Sequence, residues 1–489
     1  MVRIYFDKQI FSHLFKGEKE RYVELLNKIR KNTTNLYCYS HAHLLDLKND
    51  TSDIKYKELE FMETIVNDNY LSYHALDKNT SCYLVTPPIA FEDVEEEIKP
   101  NFNDLLDFDY DIFTPQQQAQ IELAKDTFYN RKFDLDFINE GTPKELKPIT
   151  EKLFPEKLSS MSMNDWVKNF MGMLNTIQED KSIYKGLRNL TDSHFNNEKF
   201  TVNYDEIDFN EDLKNSSLGK TFIEYVNNSI NPTGKNKVSN YDFYVNAYFS
   251  LDILGISKEP SKKVKFNNVL YDALHSYYGA YCDCVVSDDQ GFCKKTRVLY
   301  KLLGIETKIM VADEFIQSFN FIIPKREEDQ GTFSDLLLND LKNAIVLKTY
   351  SSLDIDRHTV KFKPSHNYLG YFNRFDRIIE EGKVFLYFYR ATKNYSYFTF
   401  LREYELVVNN AVEVFGLDQS LKGKFDWESE KELLDRNKWE GRLWDFDDFT
   451  FKIEHNNGSN KLSILISFRN LGTGKNNDSS KINGIAEKL

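Results

Sequence analysis

Hydrophobic positions along the chain change period several times, and each change predicts an element. Residues 2–6 (Val2-Arg3-Ile4-Tyr5-Phe6) form a short apolar run of strand type, closed by Asp7. From residue 8 to residue 30, Ile10, Phe11, Leu14, Tyr22, Leu25, Leu26 and Ile29 recur at helical spacing. A second strand is predicted at 36–39, followed by a helix for which Ser40 is the expected N-cap. A helix over 54–66 and a strand over 70–73 continue the alternation, which is the pattern of a parallel sheet with right-handed crossovers.

The texture changes near Pro87-Pro88. Residues 91–111 are strongly acidic, and the region beyond reads as helices at 115–130, 163–177, 218–230 and 241–254, with a loop at 231–236. The α/β pattern resumes at 264, with a helix at 268–281 and a strand at 284–287. A helix at 292–303, stopped by Gly304, and a strand at 305–311 follow. Beyond 313, aromatic and β-branched runs at 319–323, 384–389, 397–400, 449–453 and 462–466 predict strands. The expected organisation is an α/β core in two parts, 1–90 and 261–312, interrupted by an all-α insertion at 91–260. A β-rich α+β C-terminal domain occupies 313–470, and a flexible tail 471–489.

Composition narrows the class. A chain of 489 residues with 41% hydrophobic and 15% aromatic content is not wholesale disordered and has room for more than one domain. It contains no run of about 18 apolar residues, so no membrane span or membrane partner is expected. Residues 1–7 do not read as a signal peptide, which points to the cytoplasm. Five cysteines at no framework spacing (Cys38, Cys82, Cys282, Cys284 and Cys293) read as core thiols rather than a disulfide or zinc set. A net charge of −13 excludes steering to phosphate backbones by the overall field, so any nucleic-acid contact must come from a local basic patch.

The candidate chemistry lies at strand ends. Asp7 closes the first strand, and Asp288-Asp289 close the strand at 284–287. Asp46 follows Ser40 by nearly two helical turns, and Asp272 opens the helix before the later strand. Taken singly, these have ordinary readings: a helix cap for Asp7, a solvated helix position for Asp46, a dipole partner for Asp272 and turn chemistry for Asp289. Taken together, carboxylates converging at a sheet edge can hold one or two Mg²⁺ or Mn²⁺ ions, which serve phosphodiester displacement.

Four segments carry a resemblance: Tyr5-Phe6-Asp7, Tyr39-Ser40-His41-Ala42-His43-Leu44-Leu45-Asp46, Asp272-Ala273-Leu274-His275, and Asp283-Cys284-Val285-Val286-Ser287-Asp288-Asp289-Gln290-Gly291-Phe292. In that order they resemble PIN-like nucleases, over 1–86 and 264–312. The resemblance implies a compact parallel sheet flanked by helices and Mg- or Mn-dependent cleavage of RNA, or less often DNA. It makes Asp7, Asp46, Asp272 and Asp289 the catalytic, metal-binding carboxylates. Asp46 stands where the family more often carries Glu. Ser287-Asp288-Asp289 replaces the usual Thr-x-Asp, which leaves both Asp288 and Asp289 open as ligands, with Asp289 favoured.

Around this set, Ser40, His43, His275 and Ser287 are expected on the substrate side, with Lys294, Lys295 and Arg297 as the local phosphate contacts. Lys258, Lys262, Lys263 and Lys265 form a second basic cluster, whereas the spacing of Tyr277, Tyr278 and Tyr281 favours core packing. The size of the additions suggests a regulated bacterial nuclease of defence or toxin type, with the insertion or C-terminal region receiving a signal or protein partner. The alternative is a catalytically inactive scaffold on a PIN-like core. The sequence does not fix the oligomeric state.

Overall fold

The computed structural model describes residues 1–96, 209–253 and 266–469, apart from short stretches at 33, 76, 216–218, 232–236, 323–326, 353–355, 436–437 and 457–460. Its first part is built on β1 (Arg3–Phe6), whose successive side chains go to opposite faces of a sheet. Ile4 and Phe6 join one buried cluster, while Tyr5 joins another. Helices cover both faces, which is why every side chain of the strand is buried rather than every second one. They are α1 (Lys8–Lys16), α2 (Glu20–Lys31), α3 (His41–Lys48), α4 (Ile54–Val66), α5 (Pro87–Glu96), α6 (Phe222–Ile230), α7 (Asn240–Ile253), α8 (Phe266–Gly279), α9 (Gln290–Leu303) and α10 (Ala312–Ile322).

The six strands run in the order β4-β3-β2-β1-β5-β6, the others being β2 (Leu36–Ser40), β3 (Asn69–His74), β4 (Asn79–Leu84), β5 (Cys284–Val286) and β6 (Lys308–Met310). All neighbours are parallel except β3 and β4, which pair antiparallel from Asn69↔Leu84 to His74↔Asn79. The fold is therefore α/β with a mixed sheet. The antiparallel edge strand was not anticipated, because its polar residues 79–81 mask the period-2 pattern.

The C-terminal part holds a separate, all-antiparallel sheet of seven strands in the order β11-β12-β13-β10-β9-β8-β7. These are β7 (Ile345–Ser352), β8 (Arg357–Lys363), β9 (Arg374–Glu380), β10 (Lys383–Tyr389), β11 (Arg442–Asp445), β12 (Phe449–Asn456) and β13 (Lys461–Phe468). Helices α11 (Gln330–Asn343), α12 (Leu401–Phe415) and α13 (Trp427–Asp435) accompany them.

Three sequence expectations are corrected. The helix expected over 8–30 is two helices, broken where Gly17 adopts φ +62°, a left-handed conformation that glycine reaches without strain. Residues 319–322 end α10 instead of forming a strand. Phe315 and Phe319, one turn apart, are buried beside Phe6, whereas Phe321 points to solvent. Residues 397–400 form no strand; they lead into α12, with Phe400 at its N-cap. The helices expected at 115–130 and 163–177, the basic cluster at 258–265 and the tail at 471–489 lie outside the described residues.

A buried ion network joins the two sheets. The Arg3 guanidinium (1% exposed) donates to both Glu403 carboxylate oxygens, at 2.7 and 2.6 Å. Arg390 bridges Glu403 (3.0 Å) and Asp283 (2.5 Å), and Asp283 also accepts from the Arg3 backbone N–H. Two guanidinium groups against two carboxylates leave no net charge, and the planar forks suit bidentate pairing.

Candidate active site

The carboxyl ends of β1 and β5 meet where the sheet changes direction. From β1 the chain crosses to β2 on one flank, while β5 occupies the other. In open α/β sheets, such a switch point is where ligands bind. Asp7 and residues 287–289 are the first residues past these two strand ends. The Asp7 N–H donates to the Val286 carbonyl at 3.0 Å, which extends the ladder by one bond. Ser287, fully buried, donates its hydroxyl to Asp7 Oδ2 at 2.6 Å and accepts from the Asp289 N–H at 3.1 Å. One serine thus ties Asp7 and Asp289 to a common point. Asp289 also caps α9, accepting from Phe292 N–H at 2.8 Å.

Helix α8 supplies the other side of the crevice. Gly279 lets it approach β5: a Cβ there would stand 2.5 Å from a Val285 methyl carbon. The helix carries Asp272 and His275, one turn apart. Asp272 is partly open to the crevice and has no hydrogen-bond donor or ion-pair partner among the described residues. Burial pushes its carboxyl well above the usual carboxylate range, and Asp7, Asp289 and Asp46 push it further, with Lys295 opposing. The Asp7 carboxyl is also raised, chiefly by burial. His275 and the Ser287 hydroxyl oppose the rise, while Asp46 and Asp289 add to it. The four carboxylates are therefore electrostatic neighbours in a desolvated crevice.

A chain of hydrogen bonds runs beneath them. Ser40 Oγ lies 2.7 Å from the Tyr5 hydroxyl, which lies 2.7 Å from His275 Nδ1, and His275 Nε2 lies 2.9 Å from Asp46 Oδ2. With Nε2–H donated to the carboxylate, Nδ1 accepts from Tyr5, whose oxygen accepts from Ser40. His43 is completely buried. Its Nδ1 accepts from the Ser40 N–H at 3.0 Å, so its Nε2–H donates to the Phe6 carbonyl at 2.8 Å. Burial, and then His275 nearby, hold the His43 pKa well below the usual histidine value, which keeps the ring neutral.

The expected substrate contacts divide in two. Ser40, His43 and Ser287 are buried, and His275 is 2% exposed, so these four position other groups and do not themselves meet a large substrate. Lys295 is 1% exposed and salt-bridged at 2.7 Å to Asp252, itself 1% exposed. That lysine balances the interior because it lies on the inner face of α9. Arg297 is exposed and donates to the Ile309 carbonyl at the β6 edge. Lys294 remains partly exposed. Asp288 points away from Asp7: it takes Arg21 at 2.8 Å, the Tyr22 hydroxyl at 2.5 Å and the Ala312 N–H at 2.9 Å. Tyr5 and Asp252 were not anticipated, since a tyrosine in a largely apolar strand and a single aspartate within a helix carry no sequence signal of their own.

Among the described residues, no three His, Cys, Asp or Glu side chains stand as a formed metal-holding group. The donor set nevertheless suits a hard cation: oxygen ligands alone, two of them destabilised as anions by burial and by each other. Also among the described residues, no helix is long and apolar enough to cross a membrane. Comparison with protein families, with curated proteins and with solved structures finds no match for this chain.

Proposed function

We propose that this protein is a metal-dependent nuclease that hydrolyses phosphodiester bonds, with RNA ahead of DNA as substrate. The observation that carries the reading is Asp272: a desolvated carboxylate without a donor among the described residues, set among three others at the sheet's switch point. Such a group is stabilised either by a proton or by a cation. Asp7, Asp46, Asp272 and Asp289 are the residues that would hold Mg²⁺ or Mn²⁺. When bound, the ion supplies charge neutralisation and activation of water for in-line displacement at phosphorus.

The chain's own residues do the rest. Ser287 fixes Asp7 and Asp289 together, and His275 orients Asp46 through Nε2. Asp272, destabilised as an anion by burial and by its neighbours, would complete the ligand set, and the proton that the attacking water releases passes to solvent. As the new P–O bond forms, the leaving oxygen departs with the bonding pair and is protonated by solvent. The size of the chain beyond this crevice supports a regulated effector, of bacterial defence or toxin type, in place of a minimal nuclease.

The test uses the full-length protein on labelled single-stranded RNA and duplex DNA with MnCl₂, MgCl₂ or EDTA. Cleavage is expected with Mn²⁺ and lost with EDTA, and Asp7→Asn is expected to lower it at least about 100-fold. Cleavage that survives EDTA or Asp7→Asn overturns the assignment.

A second reading, an inactive scaffold on the same core, is favoured by one observation: Asp46 and Asp289 already have protein partners, His275 and the α9 N-terminus. It predicts no metal-dependent activity in the wild type under any of these conditions.

A further inference from the structure

At the other end of the parallel strands lies a cavity of about 790 Å³, a size typical of small-ligand sites. Its walls come from both sheets: Val2 and Asp283 precede β1 and β5, Lys308 opens β6, Lys363 closes β8 and Arg374 opens β9. The chain as a whole carries a charge of −13, yet cations gather here. Lys393 is paired with Glu306 at the rim, and Arg390 belongs to the buried network. Lys308, Lys363 and Arg374, by contrast, have no carboxylate partner among the described residues. Among the described residues, the Arg374 guanidinium donates one hydrogen bond, to the Asn373 carbonyl at 2.6 Å. Three uncompensated cations contributed by three strands of two sheets make a concave positive surface, which focuses an anionic ligand. The Asn320, Asn367 and Asn394 side chains add neutral hydrogen-bonding groups.

One more feature narrows the ligand class. Phe321, on the last turn of α10, lines the cavity and is 89% exposed. A phenylalanine so exposed contributes little to its own fold, and at a cavity mouth it offers a flat apolar face. A phosphate cluster alone would have no use for such a ring, whereas a nucleobase stacks on it. We infer that this cavity binds a nucleotide, its phosphates on Lys308, Lys363 and Arg374 and its base on Phe321. The site is separate from the acidic crevice: β1 runs from Val2 in the cavity wall to Asp7, and β5 from Asp283 to Ser287.

The test is calorimetric titration of the full-length protein with ATP, pyrophosphate and adenosine in EDTA, where the acidic crevice has no cation to attract phosphate. ATP is expected to bind, and Lys308→Glu or Arg374→Glu to weaken it about tenfold or more, equivalent to about 1.4 kcal/mol. Phe321→Ala is expected to weaken ATP but leave pyrophosphate unchanged. Asp7→Asn is expected to leave all binding intact, which keeps this outcome independent of the nuclease assignment. Two results overturn the inference: no ATP binding up to about 1 mM, or ATP binding that none of the three cavity variants alters. Pyrophosphate binding as tightly as ATP, with Phe321→Ala silent, overturns the nucleotide assignment. All three substitutions are at partly or fully exposed positions, and thermal melts confirm that each variant is folded.

Discussion

Asp272→Asn is expected to make the metal-free protein more stable, the reverse of the usual effect of altering a half-buried residue. The native Asp272 carboxyl is pushed well above its unfolded value, first by burial and then by Asp7, Asp289 and Asp46. A raised carboxyl means that the native state binds more protons than the unfolded state between the two pKa values. Stability is therefore highest below the unfolded value, near pH 4, and falls as pH rises through the native value. Each unit of elevation corresponds to about 1.4 kcal/mol at neutral pH. For a domain of 150–250 residues that moves a melting transition by about 3–6 °C.

The assay is thermal melting of wild type and Asp272→Asn in EDTA across the range from about pH 4 to pH 8. The two are expected to melt together at the acid end, and the variant to melt higher at the neutral end. Mn²⁺ is then expected to reverse the order, since a ligand at about 100 times its Kd adds about 2.7 kcal/mol to the form that binds it. A variant that melts lower than wild type at neutral pH in EDTA refutes the reasoning, because it would mean that the Asp272 charge is satisfied within the protein. Equal Mn²⁺ stabilisation of both proteins refutes Asp272 as a ligand.

Other predictions concern the interior. Glu403→Gln leaves Arg3 and Arg390 buried with Asp283 as their one carboxylate, and is expected to cost about 3–5 kcal/mol, read as a lower midpoint in urea. A shift under about 1 kcal/mol would mean that the network is better hydrated than its burial indicates. Lys295→Met removes the buried cation that faces Asp252 and is expected to lower the urea midpoint by an amount of the same order, about 3–5 kcal/mol. A substrate-contact role would instead leave the urea midpoint unchanged and raise KM.

Much of the first sheet was legible because its signals are local. The apolar run ending at Asp7, the Ser40 cap and the stop at Gly304 each depend on a few adjacent residues, and each stands where the pattern placed it. The errors also have local causes. The run Phe319-Asn320-Phe321-Ile322 satisfies period 2 and period 3.6 alike over so short a span, and only burial of Phe315 and Phe319 against Phe6 decides for the helix. Within the candidate site, Asp7 and Asp289 were visible as strand ends, and Asp272 and Asp46 as helix positions. Their partners were not visible: the Tyr5–His275 contact spans 270 positions, and the Arg3–Glu403 pair spans 400.

The sequence by itself determined several element ends, among them the close of β1 at Asp7, the start of α3 at Ser40 and the stop of α9 at Gly304, because capping, periodicity and glycine conformation act within a turn or two. Tertiary structure decided which charges meet. It sent Lys295 inward to Asp252, turned Asp288 toward Arg21, left Asp272 without a donor among the described residues, and gathered Lys308, Lys363 and Arg374 around one cavity. The physical reason is that Coulomb energy depends on distance and burial, and both are set by the packing of elements hundreds of residues apart.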